Sequence, residues 1–336
     1  MRGWTRARTG VAVAALCAVL AGEAAAQCVG RNLVDALPPG PRAELDRATA
    51  AQPYARGNLW TARRGDRTMT VVGTDHLSDP RHAATVAAVG PLVDGARALL
   101  VEAGPEEEAA IRRAFGENPG LLTLTEGPSL LELLPEPEWA RLSAAMAARG
   151  IPPFMAAKFR PWYVSVMLSV PPCAMGAMTD PKGLDRLLID RAAAGGVPIR
   201  ALEPYDTLFA IFDAVTMEEQ LAMIRSALRQ EDRVADMSVT LTDLYVRGES
   251  RATWEFMRLQ SGGLPGLTPE RVGADFARME DLLMIRRNRA WIPVIEAASA
   301  ESPIVVAFGA LHLSGEAGVL NLLGEAGWTL EPLGPE

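Results

Sequence analysis

The chain has 336 residues, with 41 acidic against 33 basic side chains and a net charge of −8. An acidic chain without a basic tract is a poor match for nucleic acid or an anionic membrane surface. Its length can hold one large α/β domain or two smaller ones, and it easily buries a core.

The first residues read as a secretory signal peptide over 1–26. Arg2, Arg6 and Arg8 make a basic start, 11–20 is a short apolar run, and Ala24-Ala25-Ala26 is a small-residue cleavage signature. The run is too short to span a bilayer, and no later stretch is long and apolar enough to do so. The expected destination is the periplasm. Of three cysteines, Cys17 leaves with the signal. Cys28 and Cys173 remain as an even pair in an oxidising compartment, where a disulfide is expected.

Residues 58–73 predict a hairpin around Arg64-Gly65-Asp66. Its second strand runs into Gly73-Thr74-Asp75-His76, and a helix follows from Pro80 to about Arg97. Residues 98–102 predict a short apolar strand ending at Glu102. The rhythm recurs. Residues 184–194 read as a helix stopped by Gly195-Gly196, and 198–203 as a strand ending at Glu203. Residues 303–308 read as a strand leading into Gly309-Ala310-Leu311-His312, followed by a helix over 316–325 and a last strand at 328–331. Alternating strands and helices predict an α/β fold with a mostly parallel central sheet flanked by helices. Two long stretches, about 106–178 and 206–300, have helical period and read as helical insertions in a single domain spanning 27–336. Within the second, Gly262-Gly263-Leu264-Pro265-Gly266 reads as a loop.

The most specific feature is a repeated element. Gly73-Thr74-Asp75-His76-Leu77-Ser78 and Gly309-Ala310-Leu311-His312-Leu313-Ser314 share Gly-x-x-His-Leu-Ser, and each follows a Val-rich strand. Histidine is a common metal ligand and a ready base near neutral pH. A bland alternative is that each His packs a strand–helix turn. The matched contexts favour a shared site, because ligands of open parallel sheets bind at the carboxyl ends of strands. Glu102 and Glu203 sit at such ends, where neighbouring strands lie about 4.8 Å apart. Two imidazoles and a carboxylate suit a divalent transition metal, with His76, Glu102 and His312 as the ligand set. Asp75 reads as a turn residue and His82 as a surface residue. From pattern alone, Arg286-Arg287-Asn288-Arg289 reads as a solvated basic helix face with partners at Glu280 and Asp281. A serine-hydrolase elbow, a dinucleotide fingerprint and a P-loop are all missing.

The paired Gly-x-x-His elements, strand-end Glu102, helical Arg287-Asn288 and the C-terminal segment after Gly309 resemble the TraB/GumN family, to which the TIKI metalloproteases are related. The resemblance covers most of the chain from about Asn58 onward. It implies an erythromycin-esterase/ChaN-like fold and a divalent-metal-dependent hydrolase (Mn²⁺, Co²⁺ or Zn²⁺), with peptide bonds as the expected target. It lifts Arg287 from surface charge to a catalytic residue beside His76, Glu102 and His312. It places Asn288, Glu203, Gly73 and Gly309 in substrate binding. Asp75 departs from the aromatic or aliphatic residue that often precedes the first motif His. A haem- or iron-binding protein, or a partner-binding protein without catalysis, is the alternative on the same fold.

Overall fold

The computed structural model describes residues 28–179, 182–262 and 268–334. The expected signal peptide and most of the expected 262–266 loop lie outside the described residues.

Six strands form one sheet in the order β4-β3-β5-β2-β1-β6. β1 (Leu59–Arg64) and β2 (Arg67–Thr74) make the expected hairpin, closing through Arg64 opposite Arg67. Gly65 turns it with φ +62°, a conformation that favours glycine. β3 (Leu99–Val101), β4 (Ile199–Ala201) and β5 (Ile304–Gly309) run parallel to β2, and β6 (Thr329–Pro332) returns antiparallel on β1. The sheet is therefore mostly parallel, with an antiparallel hairpin edge. The predicted strands are all present, with ends moved by one or two residues.

β5 explains its own sequence. Ile304, Val305, Val306, Ala307 and Phe308 are all buried, as a central parallel strand covered on both faces requires. The same core takes in Val89 and Val93 of helix His82–Asp94 and Leu184 and Leu188 of helix Leu184–Gly195. It also holds Trp291 and Ile295 of helix Arg286–Ala298, and Leu320 and Leu323 of helix Val319–Glu325. Pro91 lies inside the first helix, whose described span ends at Asp94, short of the expected Arg97.

The two long stretches are helical, as their period predicts. They build a second apolar cluster from Leu130, Leu142, Met146, Val164 and Leu168 on one side and Ile224 and Leu228 on the other. Cys28 and Cys173 are disulfide-bonded, tying the chain near its start to the first of these stretches. Among the described residues, no helix is long and apolar enough to cross a membrane.

One local irregularity matters for the site. Asp281–Ile285 is a π-helical turn running directly into helix Arg286–Ala298. An extra residue in a helical turn rotates the faces of the turns beyond it, and such turns concentrate at functional sites. Here Arg286 points out to Asp281 while Arg287 and Asn288 both turn inward.

Candidate active site at the carboxyl edge of the sheet

The strand order arranges the chemistry. β4, β3, β5 and β2 are adjacent and parallel, so their carboxyl ends share one edge. Just past those ends come, in order, Glu203, Glu102, the Gly309–His312 segment and Asp75-His76. The two Gly-x-x-His elements occupy adjacent strands. Their registers are offset by one residue, with Gly73 paired to Phe308 and Thr74 to Gly309.

Gly309 marks the point of convergence. A Cβ built there would lie 3.1 Å from Glu102 Oε1, 3.7 Å from His76 Nε2 and 3.8 Å from His312 Cδ2. The missing side chain leaves the space that these three groups face. Gly309 also donates its backbone N–H to Glu102 Oε1 at 2.6 Å. Gly73 works differently. A Cβ there would meet Leu313 Cδ1 at 2.5 Å and Ala310 Cβ at 3.0 Å, so this glycine lets the two motif segments pack against each other.

Arg287 is the electrostatic centre. Its Nη2 donates to Glu102 Oε2 and to Glu203 Oε1, each at 2.6 Å, and its Nε donates to Glu203 Oε2 at 2.9 Å. Its Nη1 lies 3.2 Å from His312 Nε2. The side chains of Arg287, Glu102 and Glu203 are only 11 %, 17 % and 14 % exposed, so solvent screens these pairs weakly. Trp291, fully buried one helical turn beyond Arg287, donates its indole N–H to Glu203 Oε2 at 2.9 Å. Its ring lies 4.5 Å from that of His312 and beneath the guanidinium of Arg287.

The two histidines live in opposite surroundings. A guanidinium can only donate, so His312 Nε2 accepts from Arg287 and Nδ1 carries the proton, donated to Asn288 Oδ1 at 2.5 Å. Burial, with Arg287 and His76 nearby, pushes the His312 pKa down to about 4 against the pull of Glu102. His312 is neutral at physiological pH. His76 is 64 % exposed at its side chain, and its Nδ1 faces Asp185 Oδ2 at 3.1 Å. That hydrogen bond, helped by the charges of Asp185, Glu102 and Asp75, raises its pKa to about 9 against the partial desolvation of the ring. Burial also works to raise Glu102, but His312, Arg287, His76 and the Gly309 amide outweigh it and hold the carboxylate at about 2.

All the residues expected at the site therefore meet at this edge except Gly73, which serves packing. Glu203 and Asn288 do not point free groups at a ligand. The oxygens of Glu203 are taken by Arg287 and Trp291. Asn288 is 2 % exposed, and its amide bonds His312 Nδ1 and the Ala317 carbonyl. Asn288 thus orients a histidine. The solvated-face reading of 286–289 holds for Arg286, paired with Asp281, and fails for Arg287. The surface reading of His82 is also corrected. His82 is 1 % exposed, its Nε2 contacts the Leu77 carbonyl at 2.9 Å, and its ring meets Tyr245 edge-on, so it braces the first motif loop. Asp75 is a turn residue, accepting the Leu77 N–H at 3.0 Å, and burial raises its pKa.

Two further residues of the site carry little signal in the sequence. Asp185 comes from the first turn of helix Leu184–Gly195, which is clamped to the first motif. A Cβ at Gly183 would collide with the Asp75 and His76 backbone, and Leu184 N–H donates to the Asp75 carbonyl at 2.8 Å. Only the Gly183-Leu184-Asp185 string hints at it. Trp291 stands four residues after Arg287 on one helix face, the one spacing that could reveal it. Among the described residues, no three His, Cys, Asp or Glu side chains form a ready-made metal cage. The N–H groups of Arg287 stand between Glu102 and His312.

Replacing Arg287 by Met should strand two buried carboxylates and cost about 3–5 kcal/mol, read by urea unfolding. Lysine should fail to restore the loss, because one ammonium cannot reproduce the fork that grips both Glu102 and Glu203. Histidine NMR titration of the protein should show one ring titrating near 9 and one near 4. Asp185→Asn should move the first downward and leave the second. The two rings act on opposite limbs of the stability profile. The His76–Asp185 contribution to stability is full below about 6.5 and is lost as pH rises through about 9. His312 destabilises on the acid side: stability falls as pH drops from 6.5 toward about 4, where the unfolded chain takes a proton that the folded chain refuses.

No curated protein and no solved structure matches the chain. A sequence model of the TraB/PrgY/gumN family matches residues 58–332, from the start of the hairpin to the last strand and across every residue of the site just described. With most of its length covered, the chain belongs to the TraB/PrgY/gumN family.

Proposed function

We propose that this protein is an exported, divalent-metal-dependent hydrolase acting on peptide bonds, with its site at the carboxyl edge of β4, β3, β5 and β2. The observation that carries the reading is the convergence of His76, Glu102 and His312 on the space at Gly309, beside a buried guanidinium. Export to the periplasm rests on the signal-like start of the sequence and agrees with the Cys28–Cys173 disulfide.

The donor chemistry fits a metal. His76, Glu102 and His312 would hold it, and each imidazole already has its Nδ1 anchored by an oxygen, Asp185 for one and Asn288 for the other. That outer support is what metal-bound histidines ordinarily have. Binding at all three side chains requires Arg287 to release Glu102 Oε2 and His312 Nε2. A bound divalent ion supplies a lowered pKa for its water, and hence a nucleophile near neutral pH.

The protein's own groups divide the remaining work. As a ligand His76 would bind through Nε2 with Nδ1 held by Asp185, so loading the site displaces the proton that Asp185 favours there. His312, neutral and buried with Nδ1 held by Asn288, would offer Nε2 without first losing a proton. Arg287 is fixed by Glu203 and Trp291, so its guanidinium is preorganised to stabilise negative charge developing on a carbonyl oxygen.

A fluorogenic peptide library, assayed with and without Mn²⁺, Co²⁺ and Zn²⁺, tests the proposal. Metal-stimulated cleavage is expected. The His76→Ala variant should fold with an unchanged circular dichroism spectrum and lose about 10²-fold or more in kcat, as loss of a group that holds the catalytic ion does. Cleavage unaffected by His76→Ala, or no cleavage under any metal, would remove the assignment.

A further inference from the structure

Behind the His312 loop lies a second cavity of about 630 Å³, distinct from the space at Gly309. It is bounded by the turn after His312, by helix Arg286–Ala298 and by Gln52. Its volume falls within the roughly 300–1,000 Å³ usual for small-molecule sites. Its lining differs from their usual apolar character, because polar and charged side chains dominate it.

Several of those side chains have no protein partner among the described residues. Ser314 is 7 % exposed and its Oγ is buried without a hydrogen bond. That oxygen is shut off from the cavity in this conformation, so a ligand reaches it only by moving the cavity wall. The Arg289 guanidinium, the Glu316 carboxylate and the Gln52 amide line the same cavity, and none takes part in a side-chain hydrogen bond or ion pair among the described residues. The deeper Arg251 is different. It is paired with Glu255 and Glu280, so it offers the wall no free charge. Glu325 also lines the cavity, one of its oxygens taken by the Asn321 amide, so the charges left without an opposite are one cation and two carboxylates, beside the Gln52 amide.

We propose that this cavity binds a small zwitterion, an ammonium and a carboxylate on one short frame, as in a free amino acid or a dipeptide. Arg289 takes the carboxylate, Glu316 and Glu325 take the ammonium, and Gln52 completes the polar contacts. A carboxylate alone would leave both acids unmatched, and an ammonium alone would leave Arg289 unmatched. The cavity also touches the catalytic machinery. Asn288 lines it, and the same side chain holds His312 Nδ1 and the Ala317 carbonyl of the cavity wall. A ligand that shifts the turn at 315–318 therefore shifts the grip on His312. Zwitterions are what peptide-bond cleavage releases, so product sensing rests on the peptidase reading, while binding itself does not.

Isothermal titration calorimetry of the purified protein with glycylglycine tests this, with acetate and glycinamide as carboxylate-only and ammonium-only controls. One saturable equivalent of glycylglycine is expected, with no saturation by either control. Arg289→Ala and Glu316→Ala should each weaken binding by about tenfold or more, the loss of one charge-assisted hydrogen bond. Both lie outside the site at Gly309 and should leave basal turnover unchanged. Binding should persist in the His76→Ala background, which separates failure of the peptidase reading from failure of this one. No saturable heat, saturation by acetate alone, or binding indifferent to both variants would overturn the proposal.

Discussion

Two carboxylates held out of water by one guanidinium set the terms for everything at this sheet edge. Glu102 and Glu203 end neighbouring parallel strands and would repel if left alone in a weakly screened space. Arg287 reaches both with its fork, and Trp291 and the Gly309 amide take up remaining acceptor capacity. The cost of burying three charges is offset only because the geometry is close to complete. That same completeness removes freedom from the site. Glu102 is ionised down to about pH 2, and His312 is kept neutral by burial beside the cation. The strand ends, the inward turn of one helix and the protonation of the site are thus one problem with one solution.

The helix that delivers Arg287 grows out of an irregular turn. Arg287, Asn288 and Trp291 stand at i, i+1 and i+4 of the regular helix that follows the π-helical turn at Asp281–Ile285, and all three work on the sheet side. The two histidines then acquire different partners from different elements. Asp185, on a helix clamped through Gly183 to the first motif, gives His76 a negative neighbour. Asn288 gives His312 a neutral one. Identical sequence contexts therefore produce unlike imidazoles, one basic and accessible, one buried and weakly basic.

Much of this is legible in the residues. Short Val/Ile-rich runs separated by helical period reveal a parallel sheet, and the repeated Gly-x-x-His-Leu-Ser places two histidines at one edge of it. The strand-terminal positions of Glu102 and Glu203 follow from the same rule. The hidden part depends on contacts between distant segments. No local pattern says that 281–285 winds as a π turn, so 286–289 looks like an ordinary wet face. His82 looks like a helix-start surface residue until Tyr245, from far along the chain, covers it. Asp185 and Asn288 are assigned roles by which imidazole they reach, which is a property of packing alone. Gly73 shows the same limit in reverse, because matched motif glycines do unmatched jobs, one opening the site and one closing the core.

The central claim is that His76, Glu102 and His312 form a metal-binding hydrolytic centre once Arg287 yields its place on two of them. Elemental analysis of the purified protein beside a His76→Ala/His312→Ala double variant tests it most directly. The account predicts close to one equivalent of a transition metal in the wild type, after supply of Mn²⁺, Co²⁺ or Zn²⁺, and none in the folded variant. Equal and negligible metal in both would contradict it, leaving Arg287 as the cation that the site was built around.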